Sequence, residues 1–259
     1  MKILAINSSF RGNKGYTKFL IDKIFKGAKD EGAECESINL AELHINHCID
    51  CQSCQTEEHF LKCIHKDDAD MVFNKMRQAD IIIFATPIYT LDMSSLLKTL
   101  FERYYYNCKI GEFNITNSGL FFHHVDTSLC SKPFVVLITC DNMLKETTHT
   151  TIEYFKIYAK FLDSKIAGIL VRKQGTVVGH GNKPEKEKAY PIIYDIYDAY
   201  YNAGKELAAK GFITKSTENR ANRLIFKVPF YLKYLLRFAH FRKKAAQRYE
   251  MIMDTAIHR

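Results

Sequence analysis

Cys48, Cys51, Cys54 and Cys63 fall in the pattern C-x2-C-x2-C-x8-C. Thiols three residues apart cannot all point one way from a rigid helix, but from a loop they can converge around one corner of a metal cube. Bacterial ferredoxins hold iron–sulfur clusters with the same compact C-x2-C-x2-C run. Zinc held by all four thiols is a second reading, although structural zinc loops usually separate two C-x2-C pairs by a longer stretch. Free thiols or a disulfide is a third. His47, His59 and His65 lie in the same stretch as substitute ligands or as solvated loop side chains. The other four cysteines of the eight, Cys35, Cys108, Cys130 and Cys140, are scattered. The opening MKILAIN leads into no apolar h-region or cleavage site, so clustered thiols imply a metal or redox site in a reducing cytoplasm.

A second chemical signal follows the first strand-like run. Ser8-Ser9-Phe10-Arg11-Gly12-Asn13-Lys14-Gly15-Tyr16-Thr17 leads straight into helical periodicity. Two glycines allow a tight turn, hydroxyls of Ser8, Ser9 and Thr17 can donate, and Arg11 offers a fork for phosphate oxygens. A helix N-terminus adds free N–H groups and partial positive charge. The G-x4-G-K-[ST] and G-x-G-x-x-G strings are both absent, so a monophosphate end fits better than a pyrophosphate.

Both signals must be held by the elements around them. Apolar runs at Lys2–Asn7, Cys35–Asn39, Ile81–Ala85, Phe134–Thr139 and Lys165–Val171 read as five strands. Amphipathic segments at Thr17–Glu31, Asp67–Ala79, Ser94–Tyr105, Thr147–Leu162 and Ile192–Lys210 read as helices. Strands alternating with helices predict an α/β fold with an open doubly wound parallel sheet, whose ligands bind beyond the carboxyl ends of the strands. Asn107–Pro133 is long for a connection and reads as a lid, cover or oligomer contact.

The strings KILAINSSFRGNKGYT, D-D-x9-Q-A-D-I-I-I-F-A-T-P-I-Y and S-S-L-L-K-T-L-F-E-R resemble the NADPH-dependent FMN reductase family over roughly residues 1–210. The resemblance implies a flavodoxin-like fold, FMN as cofactor and NAD(P)H as electron donor. Ser9, Arg11, Gly15 and Thr17 match the family's phosphate loop. Ser8 and Phe10 replace its Gly and Pro, Tyr16 stands at its Asn, and the loop carries one extra residue. The resemblance also places Pro87, Ile88 and Tyr89 along the isoalloxazine ring, and Thr139, Cys140 and Asp141 on its other side. A Pro-containing turn suits a flat ring that needs an apolar wall and backbone groups presented edge-on. The cysteine loop, lying between strand two and the next helix, resembles the iron–sulfur flavoprotein branch, which implies a [4Fe-4S] cluster on Cys48, Cys51, Cys54 and Cys63. The x8 gap before Cys63 is longer than that branch implies. The function implied is an FMN-dependent NAD(P)H oxidoreductase that passes electrons through the cluster to a small-molecule or protein redox partner. Two alternatives stand: a flavodoxin-like electron carrier without its own NAD(P)H reductase activity, and a scaffold whose basic tail is the active part.

The chain has 259 residues, 47% of them hydrophobic, and a formal charge of +8. Residues 212–259 hold 11 Lys/Arg against 3 Asp/Glu, which accounts for the whole +8, and residues 1–211 balance. The body therefore gives no electrostatic argument for nucleic acid. The expected organisation is a flavodoxin-like FMN-binding domain at 1–211, with the cysteine loop at 48–63, and a basic amphipathic helical extension at 212–259. Within 224–248, from Pro229, an apolar stripe (Tyr231, Tyr234, Leu235, Phe238) runs beside a basic one (Lys233, Arg237, His240, Lys244, Arg248). Such a helix leans on its own body, on a second copy in a homo-oligomer, or on an anionic membrane surface, which would make a cytoplasmic protein membrane-associated. No apolar run reaches the ~18 residues that span a bilayer.

Overall fold

The computed structural model describes residues 1–58, 60–227 and 231–257, with the side chains of 232, 233, 248, 249 and 251–257 outside the description. His59 and Pro229, and the side chains of Lys233 and Arg248, therefore lie outside the described residues.

Strand β1 (Lys2–Asn7) leads through the glycine loop into α1 (Tyr16–Asp30) and β2 (Glu34–Asn39). The cysteine segment follows, with two short 3-10 turns, before α2 (Ala69–Gln78), β3 (Ile81–Tyr89), the two-residue β4 (Asp92–Met93) and α3 (Ser95–Glu102). Next come β5 (Cys108–Ile115), β6 (Phe121–Val125), α4 (Thr127–Cys130), β7 (Phe134–Cys140), α5 (Glu146–Phe161) and β8 (Ile166–Lys173). The chain continues through α6 (Pro184–Lys188), α7 (Ile192–Lys210), α8 (Lys215–Ala221), α9 (Leu232–Leu235) and α10 (Ala239–Ile257).

The sheet is the expected one: five parallel strands in the order β2-β1-β3-β7-β8, with β4 folded back antiparallel on β3. Period-two alternation splits the core. Leu4, Ile6, Ile82, Phe84, Val136 and Ile138 face α2, α3 and α5, whereas Ile3, Ala5, Ile83, Ala85, Val135 and Leu137 face α1 and α7. The strand order reverses between β1 and β3, so the crevice that the topology opens to a ligand lies beyond Asn7 and Pro87.

Two glycines bring α1 and α7 close enough to support that crevice. A Cβ on Gly204 would stand 1.9 Å from the Ile24 carbonyl oxygen, and one on Gly27 1.9 Å from that of Tyr201. Only backbone motion could relieve either clash. Gly204→Ala is expected to destabilise the fold by about 2–3 kcal/mol, read as a lowered urea midpoint with an unchanged m-value.

The free edge of β8 is closed by side chains of α8. Ile169 N–H donates to Glu218 Oε1 at 2.7 Å and Val171 N–H to Asn222 Oδ1 at 2.6 Å, while Asn222 Nδ2 returns a bond to the Ile169 carbonyl at 3.0 Å. An edge strand that would otherwise template aggregation is thereby capped. The buried Arg172 binds the carbonyls of Lys173, Ala221 and Arg223. Residues 212–226 thus pack on the sheet, with Ile213, Ala221 and Ile225 in its core, although the sequence reading placed them in the extension.

Two expected elements differ. Asn107–Pro133 is a β5–β6 hairpin with a short helix, not an irregular connection. Only Val125 of its strands is buried, and β5 is exposed from Ile110 to Ile115, so burial leaves no sustained alternation to read. The tail is two helices, α9 and α10, which interrupts the single stripe expected across 224–248. Arg242 Nη1 donates at 2.8 Å to the Arg237 carbonyl freed by the break. Tyr231, Tyr234 and Phe238 of that stripe are exposed. Among the described residues no helix is long and apolar enough to cross a membrane.

Candidate functional site

The loop after β1 is wound around Asn7. Its Oδ1 accepts the Ser9 N–H at 3.1 Å and its Nδ2 donates to Asn39 Oδ1 at 2.8 Å, so the buried end of the strand fixes the loop's first turn. Gly12 turns at φ +50°, and Ser9 Oγ accepts the Arg11 N–H at 3.3 Å. Gly15 is the residue before α1, and no side chain caps this helix, which leaves its first N–H groups pointing into the cleft. A Cβ on Gly15 would stand 2.9 Å from Ser9 Oγ and 3.2 Å from Arg11 Cβ, so a side chain here crowds two residues of the loop. Thr17 and Thr139 join across the cleft floor by their hydroxyls at 2.9 Å.

The end of β3 supplies the opposite wall. Thr86 Oγ1 accepts the Ser94 N–H at 2.9 Å, which fixes the turn around Pro87. Thr90 and Leu91 both take left-handed conformations, at φ 47° and 71°. Non-glycine residues in that region store strain, a feature that clusters at ligand-binding loops. Tyr89, half-exposed, lies with its ring 6.0 Å from that of Phe10.

Ser9, Arg11, Tyr16, Thr17, Pro87, Ile88, Tyr89, Thr139, Cys140 and Asp141 all line this one cleft, and Gly15 shapes it from behind the lining. Tyr16 presents its ring, while its hydroxyl lies 3.3 Å from that of Tyr197. Burial pushes the Tyr16 phenol up to about 12.

Two lining residues escaped the sequence reading, Gly175 and His180. They come from the turn after β8, whose only sequence signal is the glycine spacing Gly175, Gly179, Gly181. Asp141 holds this turn in place: Oδ1 accepts the Thr176 N–H at 2.8 Å and Oδ2 lies 3.3 Å from His180 Nε2. Burial pushes the Asp141 carboxyl up, but His180 and Thr176 outweigh it and hold it at about 2. A Cβ on Gly175 would stand 2.7 Å from the Tyr16 ring.

The four cysteines line a second hollow, together with His65, Arg103, Tyr105 and Tyr106. Asp50 and Gln52 take left-handed conformations, at φ 51° and 57°, and so bend the C-x2-C-x2-C run. Gln55 ties the loop to β5, donating from Nε2 to the Cys108 carbonyl at 2.9 Å and accepting the Ile110 N–H at 3.0 Å. Hydrogen bonds from Ser53 lower the exposed Cys51 thiol, whereas burial raises that of Cys54. All eight cysteines are free thiols. Among the described residues no three His, Cys, Asp or Glu side chains are gathered closely enough for a single metal ion. His47 is turned away from this hollow, its Nδ1 3.1 Å from Thr99 Oγ1. His47 and Thr99 line a third hollow with Phe10 and Tyr89, and Tyr89 also lines the first cleft.

Arg103 and Asp67 form a buried pair behind the cysteines, Nη1 to Oδ2 at 2.6 Å, each side chain 1% exposed. Burial pushes the Asp67 carboxyl up, but bonds from Arg103, Asn46 and Ala69 outweigh it and leave it at about 2 against an ordinary 3.8. A carboxylate depressed on folding stabilises fully above its unfolded value. The Asp67 contribution should therefore be complete above about pH 4 and lost as pH falls towards 2. Urea midpoints measured from pH 6 to pH 2.5 should fall more steeply for the wild type than for Asp67→Asn.

Comparison with known proteins follows this geometry. Residues 1–123 match the NADPH-dependent FMN reductase family. The matched segment carries the glycine loop, the cysteine loop and the β3 turn. The chain is 38% identical over 103 residues to an iron–sulfur flavoprotein of Methanocaldococcus jannaschii, covering 40% of this chain and 51% of that one. It is also 38% identical over 103 residues to one of Archaeoglobus fulgidus, covering 40% of this chain and 48% of that one. The chain thus spans about half the length of the curated relatives it matches. Among solved structures, an FMN-dependent NADH-azoreductase from Bacillus anthracis, in complex with FMN, aligns with TM-score 0.57 at 13% identity over 80% of this chain and 99% of that one. A second azoreductase from that organism aligns with TM-score 0.51 at 15% identity over 82% of this chain and 98% of its own. At those identities the likeness extends the flavodoxin-like fold beyond the matched segment and shows the fold alone.

Proposed function

We propose that this chain is an FMN-dependent NAD(P)H oxidoreductase in which the flavin is coupled to a [4Fe-4S] cluster for electron transfer. The observation that carries the reading is the gathering of ten separately predicted residues, from three strand ends, into one cleft, with the four cysteines gathered on a second hollow.

Both cofactors fit the residues present. The cradle at Gly15 admits a phosphate where a Cβ would crowd Ser9 and Arg11, and the uncapped start of α1 favours an anion there. Ser9, Arg11 and Thr17 bind its oxygens. Pro87, Ile88 and Tyr89 wall one side of the ring, and Thr139, Cys140 and Asp141 the other, with Tyr16 closing the cleft beside them. When bound, FMN supplies the exchange between a two-electron donor and one-electron acceptors. Cys48, Cys51, Cys54 and Cys63 are a four-thiol donor set of the kind that holds a cluster, and the buried Nε of Arg103, a residue of the same lining, has no partner among the described residues. Residues 1–211 are assigned to the flavin and cluster, and the residues beyond 226 to contact outside the body.

Titrating the anaerobic protein with NADH and with NADPH tests this reading. Bleaching of the flavin band at a stoichiometric donor is expected. A flavin that only an added reductase can bleach would make the chain an electron carrier instead. In the tail, exposed Phe238 and Phe241 alternate with Arg237, Arg242, Lys243 and Lys244, which suits an anionic lipid surface. Pelleting with phosphatidylglycerol vesicles, lost on truncation after Lys227 and absent with neutral vesicles, is the expected result.

A further inference from the structure

Arg103 is a costly residue to bury unless every donor is used. Its Nη1 donates to Asp67 Oδ2 and, at 3.0 Å, to the Asn46 carbonyl, and its guanidinium lies 5.7 Å from the Tyr106 ring centroid. Its Nε is buried without a hydrogen-bond partner among the described residues, and the residue lines the four-cysteine hollow. Asp67 is itself over-determined, accepting also from Asn46 N–H at 2.9 Å, Asn46 Nδ2 at 3.0 Å and Ala69 N–H at 3.1 Å. The pair is therefore a fixed mount that sets the direction of the guanidinium. Buried ion pairs contribute little to stability that apolar residues could not supply, so stability alone does not explain an arrangement that leaves Nε–H unmatched. His65 Nε2, in the same lining, is also buried and unpartnered. Two buried, unmatched nitrogens thus belong to side chains that line one hollow, and thiolate or sulfide sulfur is the acceptor chemistry that its cysteines would bring.

We propose that Arg103 is a positioning residue for the cluster: its Nε–H donates a hydrogen bond to a sulfur held in the cysteine hollow, with Asp67 fixing its direction. The inference rests on the cluster reading above. A hydrogen bond to a cluster sulfur, from a cationic group, stabilises the more negative, reduced state and so raises the reduction potential. Arg103→Lys keeps the charge and a donor for Asp67 but has no N–H at the Nε position.

The test is a potentiometric titration of wild type and Arg103→Lys, followed by visible and EPR spectra, with iron assayed in each. With iron content unchanged, the variant should show an oxidised-to-reduced ratio at fixed poise about tenfold higher, equivalent to about 59 mV for a one-electron couple. A loaded variant with an unmoved potential overturns the inference and leaves the cluster reading standing; wild type without iron overturns both. Should the variant fail to load, wild type labelled with 15N-arginine decides. Arg103 is the one arginine lining the hollow among the described residues, so pulsed EPR of the reduced cluster should show a 15N coupling, and its absence overturns the inference.

Discussion

Gly15→Val lowers FMN affinity by roughly a hundredfold or more, while the protein stays folded. The argument is steric and electrostatic together. A Cβ at this position already comes within 2.9 Å of Ser9 Oγ and 3.2 Å of Arg11 Cβ, and valine's two further carbons enlarge that crowding of the two side chains expected to hold the phosphate. Overpacking of this kind costs about 1–3 kcal/mol. A displaced phosphate also forfeits hydrogen bonds to its charge, worth about 1.5–3 kcal/mol each. Either effect alone is worth tenfold, and both act at one residue. Arg11→Gln, which removes a fork but leaves the cradle open, should cost only about tenfold to a hundredfold by the same scale. Quenching of FMN fluorescence by the apoprotein measures both. Equal, small losses in the two variants would place the phosphate elsewhere.

The second large effect concerns iron. Replacing Cys48, Cys51 or Cys54 by alanine should reduce iron from about four atoms per chain, the content of a [4Fe-4S] cluster, to below about one, with FMN content unchanged. Cys63→Ala is the informative member of the series. The eight-residue gap before it is long, yet Cys63 lines the same hollow as the other three. It should therefore lose iron as completely as Cys54→Ala. If it keeps iron while Cys54→Ala does not, another group in the lining is the fourth ligand, and His65, whose buried Nε2 has no hydrogen-bond partner among the described residues, is the candidate.

How much of this was legible in the sequence follows from where burial imposes pattern. Ile81–Ala85 is buried on both faces and reads as a continuous apolar run, so the parallel sheet and its helix layers could be foreseen. The cleft residues at the ends of β1, β3 and β7 follow from the sheet order plus the family resemblance. Gly175 and His180 did not follow, because their place in the cleft is created by the Asp141 contacts with Thr176 and His180, which join residues 35 and 39 positions apart. The β5–β6 hairpin was hidden for a different reason. Phe113 and Phe121 stack at 4.6 Å on an exposed face, so neither side of the ribbon carries the alternation that marks a half-buried strand. In the tail, helical periodicity was real in the sequence but was not sustained by packing, and the chain breaks between α9 and α10 where Tyr234 and Phe238 remain exposed.

The +8 of the whole chain carries no information about the two hollows. Their chemistry is set by a glycine where a side chain would crowd the loop, a mount of Asp67 and Arg103, and four thiols on one loop. Purifying the full chain anaerobically and assaying flavin, iron and zinc against protein, with the visible spectrum recorded alongside, tests the central claim most directly. About one FMN and about four iron atoms per chain, with negligible zinc, is the predicted result. A colourless protein, or stoichiometric zinc in place of iron, would contradict it.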